Sequence, residues 1–224
     1  MPVTALIFDF DGVVIDSEPL YVAAEKRLFA RYNITVPDED WKYFKGTTDN
    51  DFYRIIKNKY DLPADYDELK KYGRQFIKEE FQKGIDYFPG FTDFWRRIEG
   101  RYRTALVTST SATFLRWIFH NTRVRNHFDL TITAEDVNQA KPHPEPYLNA
   151  MRRLRVIPAE TVVIEDSING VKSAVAAGAL TIGFLSSLPA VDLPEAHFHA
   201  ASYAGIEAIL RNLAEDDVMK ITVY

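Results

Sequence analysis

The stretch that most constrains this chain is Leu6-Ile7-Phe8-Asp9-Phe10-Asp11-Gly12-Val13-Val14-Ile15-Asp16-Ser17-Glu18. A short apolar run stops abruptly in two carboxylates one residue apart, and then a glycine. It reads as a buried strand whose C-terminal end presents charge to solvent. In open parallel sheets, sites lie outside the carboxyl ends of the strands. Residues i and i+2 of a strand share a face, so Asp9 and Asp11 would leave it together. Asp11 sits where the strand gives way to a glycine turn and need not stay on that face. Two carboxylates this close repel, and a hard, oxygen-seeking cation such as Mg²⁺ resolves the conflict. An Asp-Gly pair by itself would equally serve a strand-to-loop turn.

The rest of the chain alternates strands with helices, after one interruption. Val3 to Phe10 is predicted as the first strand, and a helix follows from about Pro19 to Tyr32 with Leu20, Ala24 and Leu28 on one face. From Asp38 to Lys83 the spacing is helical throughout. Phe52, Ile55 and Ile56 form one apolar face and Leu69, Tyr72, Phe76 and Phe81 another, with a break at Asp61-Leu62-Pro63. This segment is too long for an ordinary connection and predicts an inserted helical cap. The expected division is therefore a core of residues 1–17 and 86–224 with a cap of residues 18–85.

Beyond the turn at Phe88-Pro89-Gly90, the pattern predicts a helix through Phe91, Phe94, Trp95 and Ile98, closed by Gly100. Strands are expected at Thr104–Val107, Leu130–Thr133, Thr161–Ile164 and Leu180–Phe184. Helices are expected through Phe114–Phe119, Pro146–Leu154, Ile168–Ala177 and Tyr203–Leu213. Residues His197 to Ala200 suit an edge strand. The fold class is α/β, a Rossmann-like doubly wound parallel sheet with right-handed crossovers.

Three further stretches carry polar groups where apolar strands end or a loop is fixed. Thr108, Ser109 and Thr110 follow the second strand. Hydroxyls there, with amides of a helix N-terminus, suit phosphate oxygens, and they equally suit a helix N-cap. Lys141 sits in Lys141-Pro142-His143-Pro144, a loop whose backbone the prolines fix. Glu165 and Asp166 end the strand before Ser167 and Gly170. Taken alone they could be acids favoured at a helix start. His197 and His199 stand at strand spacing but lack further ligands for a metal site, and they read as surface residues.

These stretches, in this order, resemble the signatures of the haloacid dehalogenase (HAD) superfamily, in its β-phosphoglucomutase and sugar-phosphate phosphatase branch. The first stretch matches through the continuation Asp11-Gly12-Val13 and Asp16-Ser17-Glu18. The resemblance implies that Asp9 is a nucleophile and Asp11 a general acid/base; the second Asp argues for phosphate esters. It implies phosphate binding by Thr108 and Lys141, with Ser109 beside them. It implies a Mg²⁺ site made by Asp9, the backbone carbonyl of Asp11, Asp166, and Glu165 directly or through water. In such enzymes the cap closes to exclude water and reads the leaving group. Its candidate substrate loop here is Lys45-Gly46-Thr47, where Gly46 permits a turn.

The expected reaction is hydrolysis of a small phosphorylated metabolite, a sugar or polyol phosphate, through an aspartyl-phosphate. A phosphosugar mutase is the alternative. Family mutases carry a His shortly after the Asp-Ser/Thr-x-Glu segment and an Arg just after the cap-loop glycine. Here those places hold Tyr21 and Thr47-Thr48-Asp49, and an acid opposes docking of a second phosphate. A non-catalytic phosphoacceptor or binding module is the reading from a different class. The complete set Asp9, Asp11, Thr108, Lys141 and Asp166 argues against it.

Composition narrows the partners. Lys plus Arg number 27 against 32 for Asp plus Glu, a formal net charge of −5, so nothing predicts a nucleic-acid or anionic-membrane surface. The chain contains no cysteine, which excludes disulfides and thiolate zinc sites and fits the expected cytoplasmic location. No signal-like or membrane-length apolar run is present. A monomer acting on a small molecule is the expectation.

Overall fold

The computed structural model describes residues 2–43, 49–60 and 62–221. Lys45, Gly46 and Thr47 lie outside the described residues. The chain divides into two compact units, Met1–Asp16 with Asp86–Tyr224, and Ser17–Ile85. Among the described residues no helix is long and apolar enough to cross a membrane.

The larger unit is built on a six-stranded sheet. Its strands are β1 (Ala5–Phe8), β2 (Arg103–Val107), β3 (Leu130–Ile132), β4 (Thr161–Glu165), β5 (Leu180–Phe184) and β6 (Phe198–Ala200), in the order β3-β2-β1-β4-β5-β6. Every pairing between them is parallel. The first strand of the chain is thus a central one. It is wholly buried, as its unbroken apolar sequence requires of a strand covered on both faces.

Alternation along β1 assigns its side chains to two different layers. Ile7 joins Ala105, Val107, Ile132, Tyr147, Met151, Val163 and Ala174 in one apolar cluster. That cluster includes residues of α6 (Glu145–Leu154) and α7 (Ile168–Ala176). Phe8 points the other way and meets Phe91, Phe94, Trp95 and Phe128, with ring centroids 5.5–6.4 Å apart. Phe91, Phe94, Trp95 and Ile98 form the buried face of α4 (Phe91–Ile98), the face their spacing predicts. Helices α5 (Ala112–Asn121) and α8 (Tyr203–Ile221) complete the unit.

Some element ends differ from those predicted. β1 stops at Phe8 instead of Phe10. Asp9 still donates its amide to Ile164 O, but the amides of Val14 and Ile15 both turn back to Phe10 O, winding the chain into a turn. Gly12, at φ +73°, makes that turn possible. β3 ends one residue early, because Thr133 leaves the ladder to bind the Asp136 carboxylate through its amide and hydroxyl. β4 runs one residue further, so Glu165 belongs to the strand. α8 continues past Leu213 to Ile221, as a stretch without glycine or proline allows.

The smaller unit is helical, with α1 (Glu18–Arg31), α2 (Asp49–Tyr60) and α3 (Tyr66–Lys83). Leu28, Phe29, Phe52, Tyr53, Ile56 and Leu69 are buried together, and Phe29 meets Trp41, Phe52 and Tyr60 edge-on. Ile55, Tyr72 and Phe76 are only partly buried against this cluster. Asp65 caps α3 by accepting the Glu68 amide at 2.8 Å. Glu80 is buried, with its carboxylate between Lys83 Nζ at 2.6 and 2.7 Å and Arg27 Nη1 at 2.7 Å. Tyr21 packs edge-on against Phe81.

Candidate active site

The sheet register brings the acidic strand ends together. Phe8 is level with Leu106 of β2 and with Ile164 of β4. Asp9, Val107 and Glu165 follow at the same level, one residue further on. This is where open parallel sheets place their sites, beside a strand flanked by two crossovers.

Lys141 Nζ enters this cluster from the loop before α6. It donates to Asp9 Oδ1 at 2.6 Å, Glu165 Oε1 at 2.6 Å and Val107 O at 3.0 Å. An ammonium has three hydrogens, and all three are used. Burial works to lower the Lys141 pKa, but Asp9 and Glu165 override it and hold the ammonium well above its ordinary range.

Glu165 is completely buried and caged by donors. Oε1 takes Lys141 and the Tyr147 hydroxyl at 3.0 Å, while Oε2 takes the Ser167 amide and hydroxyl, each at 2.9 Å. Gly170 makes room for it: a Cβ there would stand 1.7 Å from Oε1. The Tyr147 hydroxyl stays protonated, because burial and then the nearby Glu165 charge push its pKa well up.

Asp166 follows, 6% exposed. Its Oδ2 accepts the Ser187 hydroxyl at 2.6 Å and the Ser186 hydroxyl at 3.2 Å. Ligand atoms of Asp9, Glu165 and Asp166 all lie within 4.8 Å of one another. Burial raises the Asp9 pKa, opposed by Lys141 and reinforced by Glu165, Asp166 and Asp11. Burial likewise raises that of Asp166, followed by the Glu165 charge, to about 7. Three buried carboxylates lie beside a single buried ammonium that pairs with two of them, and their surplus negative charge fits a divalent oxygen-seeking cation. Glu165 has its oxygens engaged by four donors, so the acids best able to hold a metal directly are Asp9 and Asp166.

Asp11 lies in the turn after β1, where Oδ2 accepts the Thr110 hydroxyl at 3.1 Å. Thr108 is buried and accepts the Thr110 amide at 3.0 Å, which leaves its own hydroxyl hydrogen to donate. Ser109 is exposed. The N-cap of α5 is Ser111, which accepts the Phe114 amide, and Glu135 accepts the Ala112 amide. Those two helix amides are therefore occupied, and the residue that caps the helix is Ser111, just past the Thr108-Ser109-Thr110 stretch.

His197 and His199 are exposed, as expected, and each has a backbone partner: His197 Nδ1 accepts the Thr181 amide and His199 Nε2 meets Leu193 O, while His143 Nδ1 accepts the Glu145 amide. The sequence reading assigns Tyr147 no polar role, and the structure shows its hydroxyl donating to Glu165. Sequence reasoning also missed Ser186 and Ser187. Their signal was present, since they closely follow an apolar strand, as the other site residues do.

Comparison with known proteins gives the family. Residues 6–184 match the haloacid dehalogenase-like hydrolase family. The chain is 30% identical over 175 residues to a phosphorylated carbohydrates phosphatase of Thermotoga maritima, covering 78% of this chain and 81% of that one. It is 24% identical to a fructose-1-phosphate phosphatase of Escherichia coli, over 77% of this chain and 92% of that one. Its fold matches a haloacid dehalogenase-like protein of unknown function from Agrobacterium tumefaciens, with a TM-score of 0.80, 23% identity and coverage of 94% and 98%. On this footing the chain belongs to the haloacid dehalogenase-like hydrolases, in their phosphoglucomutase and sugar-phosphatase branch.

Proposed function

We propose that the protein is a Mg²⁺-dependent phosphatase of small phosphorylated metabolites, sugar or polyol phosphates, working through an aspartyl-phosphate. The observation that carries this reading is the buried Lys141 ammonium bridging Asp9 and Glu165, with Asp166 beside them. The named activities of the Thermotoga maritima and Escherichia coli relatives support the substrate class.

In this reading Asp9 attacks phosphorus and the ester oxygen leaves as an alkoxide. Asp11, held by Thr110, gives that alkoxide its proton and then takes one from the water that hydrolyses the acyl phosphate. The Thr108 hydroxyl and the Lys141 ammonium bind the phosphoryl oxygens, with Ser109 at the rim. For Lys141 this requires one of its three present bonds to be exchanged. Glu165 anchors the ammonium. Asp9, Asp166 and the Asp11 carbonyl would hold Mg²⁺, which when bound neutralises charge between carboxylate and phosphate. The helical unit, inserted in sequence between β1 and β2, is assigned the selection of the leaving group.

The test is phosphate release from a panel of sugar and polyol phosphates with Mg²⁺. Release abolished both by EDTA and by Asp9→Asn is expected. Conversion of β-glucose 1-phosphate to the 6-phosphate with a bisphosphate primer, without net release, would make the protein a mutase. A stable phosphoprotein without turnover would make it a phosphoacceptor module.

A further inference from the structure

The loop leaving β5 contains two adjacent serines whose hydroxyls converge on one oxygen. Ser187 and Ser186 both donate to Asp166 Oδ2, and no hydrogen bond among the described residues falls on Oδ1. The loop backbone is itself tied down, because the Leu185 amide donates to Ala200 O at 2.9 Å. From the other side Gly12 closes against the same oxygen: a Cβ there would lie 2.1 Å from Oδ2 and 3.1 Å from Ser187 Oγ. Oδ2 is therefore enclosed by two chain segments, the serine loop and the Gly12 turn, while Oδ1 stays available.

The choice of donor matters here. An ammonium or guanidinium against Asp166 would orient it, but it would also cancel the charge that attracts a cation. Hydroxyls orient a carboxylate and leave its charge in place. Among the described residues no basic side chain pairs with Asp166, whereas Asp9 and Glu165 both pair with Lys141. Glu165, the last residue of β4, and Asp166, the next, are thus treated in opposite ways.

We propose that Ser186 and Ser187 are positioning residues that fix Asp166 with Oδ1 free to bind a divalent cation. The inference rests on the reading of Asp166 as a metal ligand. Partners of this kind set metal affinity by about 10- to 100-fold in known sites.

The experiment is a Mn²⁺ titration of the full chain without substrate, read by electron paramagnetic resonance. It compares wild type, Asp166→Asn, the double variant Ser186→Ala/Ser187→Ala, and the isosteric pair Ser187→Thr and Ser187→Val. We expect the double variant to bind Mn²⁺ about tenfold more weakly than wild type. Ser187→Thr should keep the wild-type affinity, and Ser187→Val should lose much of it. A double variant that binds as tightly as wild type overturns this inference and leaves the metal reading standing. Wild type that binds no Mn²⁺ overturns both. Should the double variant fail to fold, the Thr and Val variants decide, since they differ only in the hydroxyl, and equal affinities would overturn the proposal.

Discussion

Nζ of Lys141 and Oδ1 of Asp9 stand 2.6 Å apart, although 132 positions separate the two residues in sequence. The ammonium also serves Glu165, so removing it strands two buried carboxylates at once. Lys141→Ala should cost about 3–5 kcal/mol of stability, the usual effect of breaking a buried pair from one side. Urea denaturation measures this. Turnover should fall by about 100-fold or more, the scale of losing one preorganised donor. Lys141→Arg should not rescue it, because a forked guanidinium cannot place three hydrogens as an ammonium does.

Tyr147→Phe makes a gentler version of the same test. It removes only the hydroxyl that donates to Glu165 Oε1 at 3.0 Å. A hydrogen bond to a charged group contributes about 1.5–3 kcal/mol, and a loss on that scale is expected. Glu165 keeps Lys141, so turnover should drop far less than in Lys141→Ala. Steady-state kinetics on the best substrate separates the two.

Gly12 carries both a positive φ and a close approach to Asp166. Gly12→Ala should cost about 1–2 kcal/mol from the left-handed backbone alone. Its larger effect should be on function, because the new Cβ displaces the Asp166 carboxylate. Circular dichroism should stay close to wild type while Mn²⁺ affinity collapses. Unchanged affinity would mean that Asp166 Oδ2 has no bearing on the metal.

Glu80 supplies a pH-dependent contribution in the helical unit. Its hydrogen bonds from Lys83, and then from Arg27, outweigh burial and lower its pKa. A carboxyl depressed on folding stabilises above its unfolded pKa, and that contribution is lost as pH falls through the folded value. Wild type should therefore melt several degrees above Glu80→Gln at pH 7, and the gap should close toward pH 3. Differential scanning calorimetry across that range tests the sign.

The sheet was legible because β1, β2, β4 and β5 are nearly unbroken apolar runs, and Asp9, Lys141, Glu165 and Asp166 each sit where such a run or a proline-fixed loop ends. The structure added side-chain direction. Glu165 and Asp166 look like one acidic pair in sequence, yet strand alternation turns the first toward Lys141 and leaves the second to the serines. Ser109 illustrates the same limit. It reads as a neighbour of like chemistry to Thr108, but two residues past the strand it is already exposed. A buried tyrosine spaced as an apolar residue gives no sign of its hydroxyl partner. That partner, Glu165, lies on an element 18 residues away.

The strand order has a consequence for how the protein is made. Of the six strands β1 is synthesised before the others, yet its two neighbours end at Val107 and Glu165. Until both are synthesised, a fully apolar central strand waits with its edges unpaired, the state most prone to pair with the wrong chain. The helical unit is continuous from Ser17 to Ile85 and closes on local contacts, so it can form during that delay. The cost of placing the first strand at the centre of the sheet is a nascent chain that depends on late-arriving segments to become both stable and chemically competent.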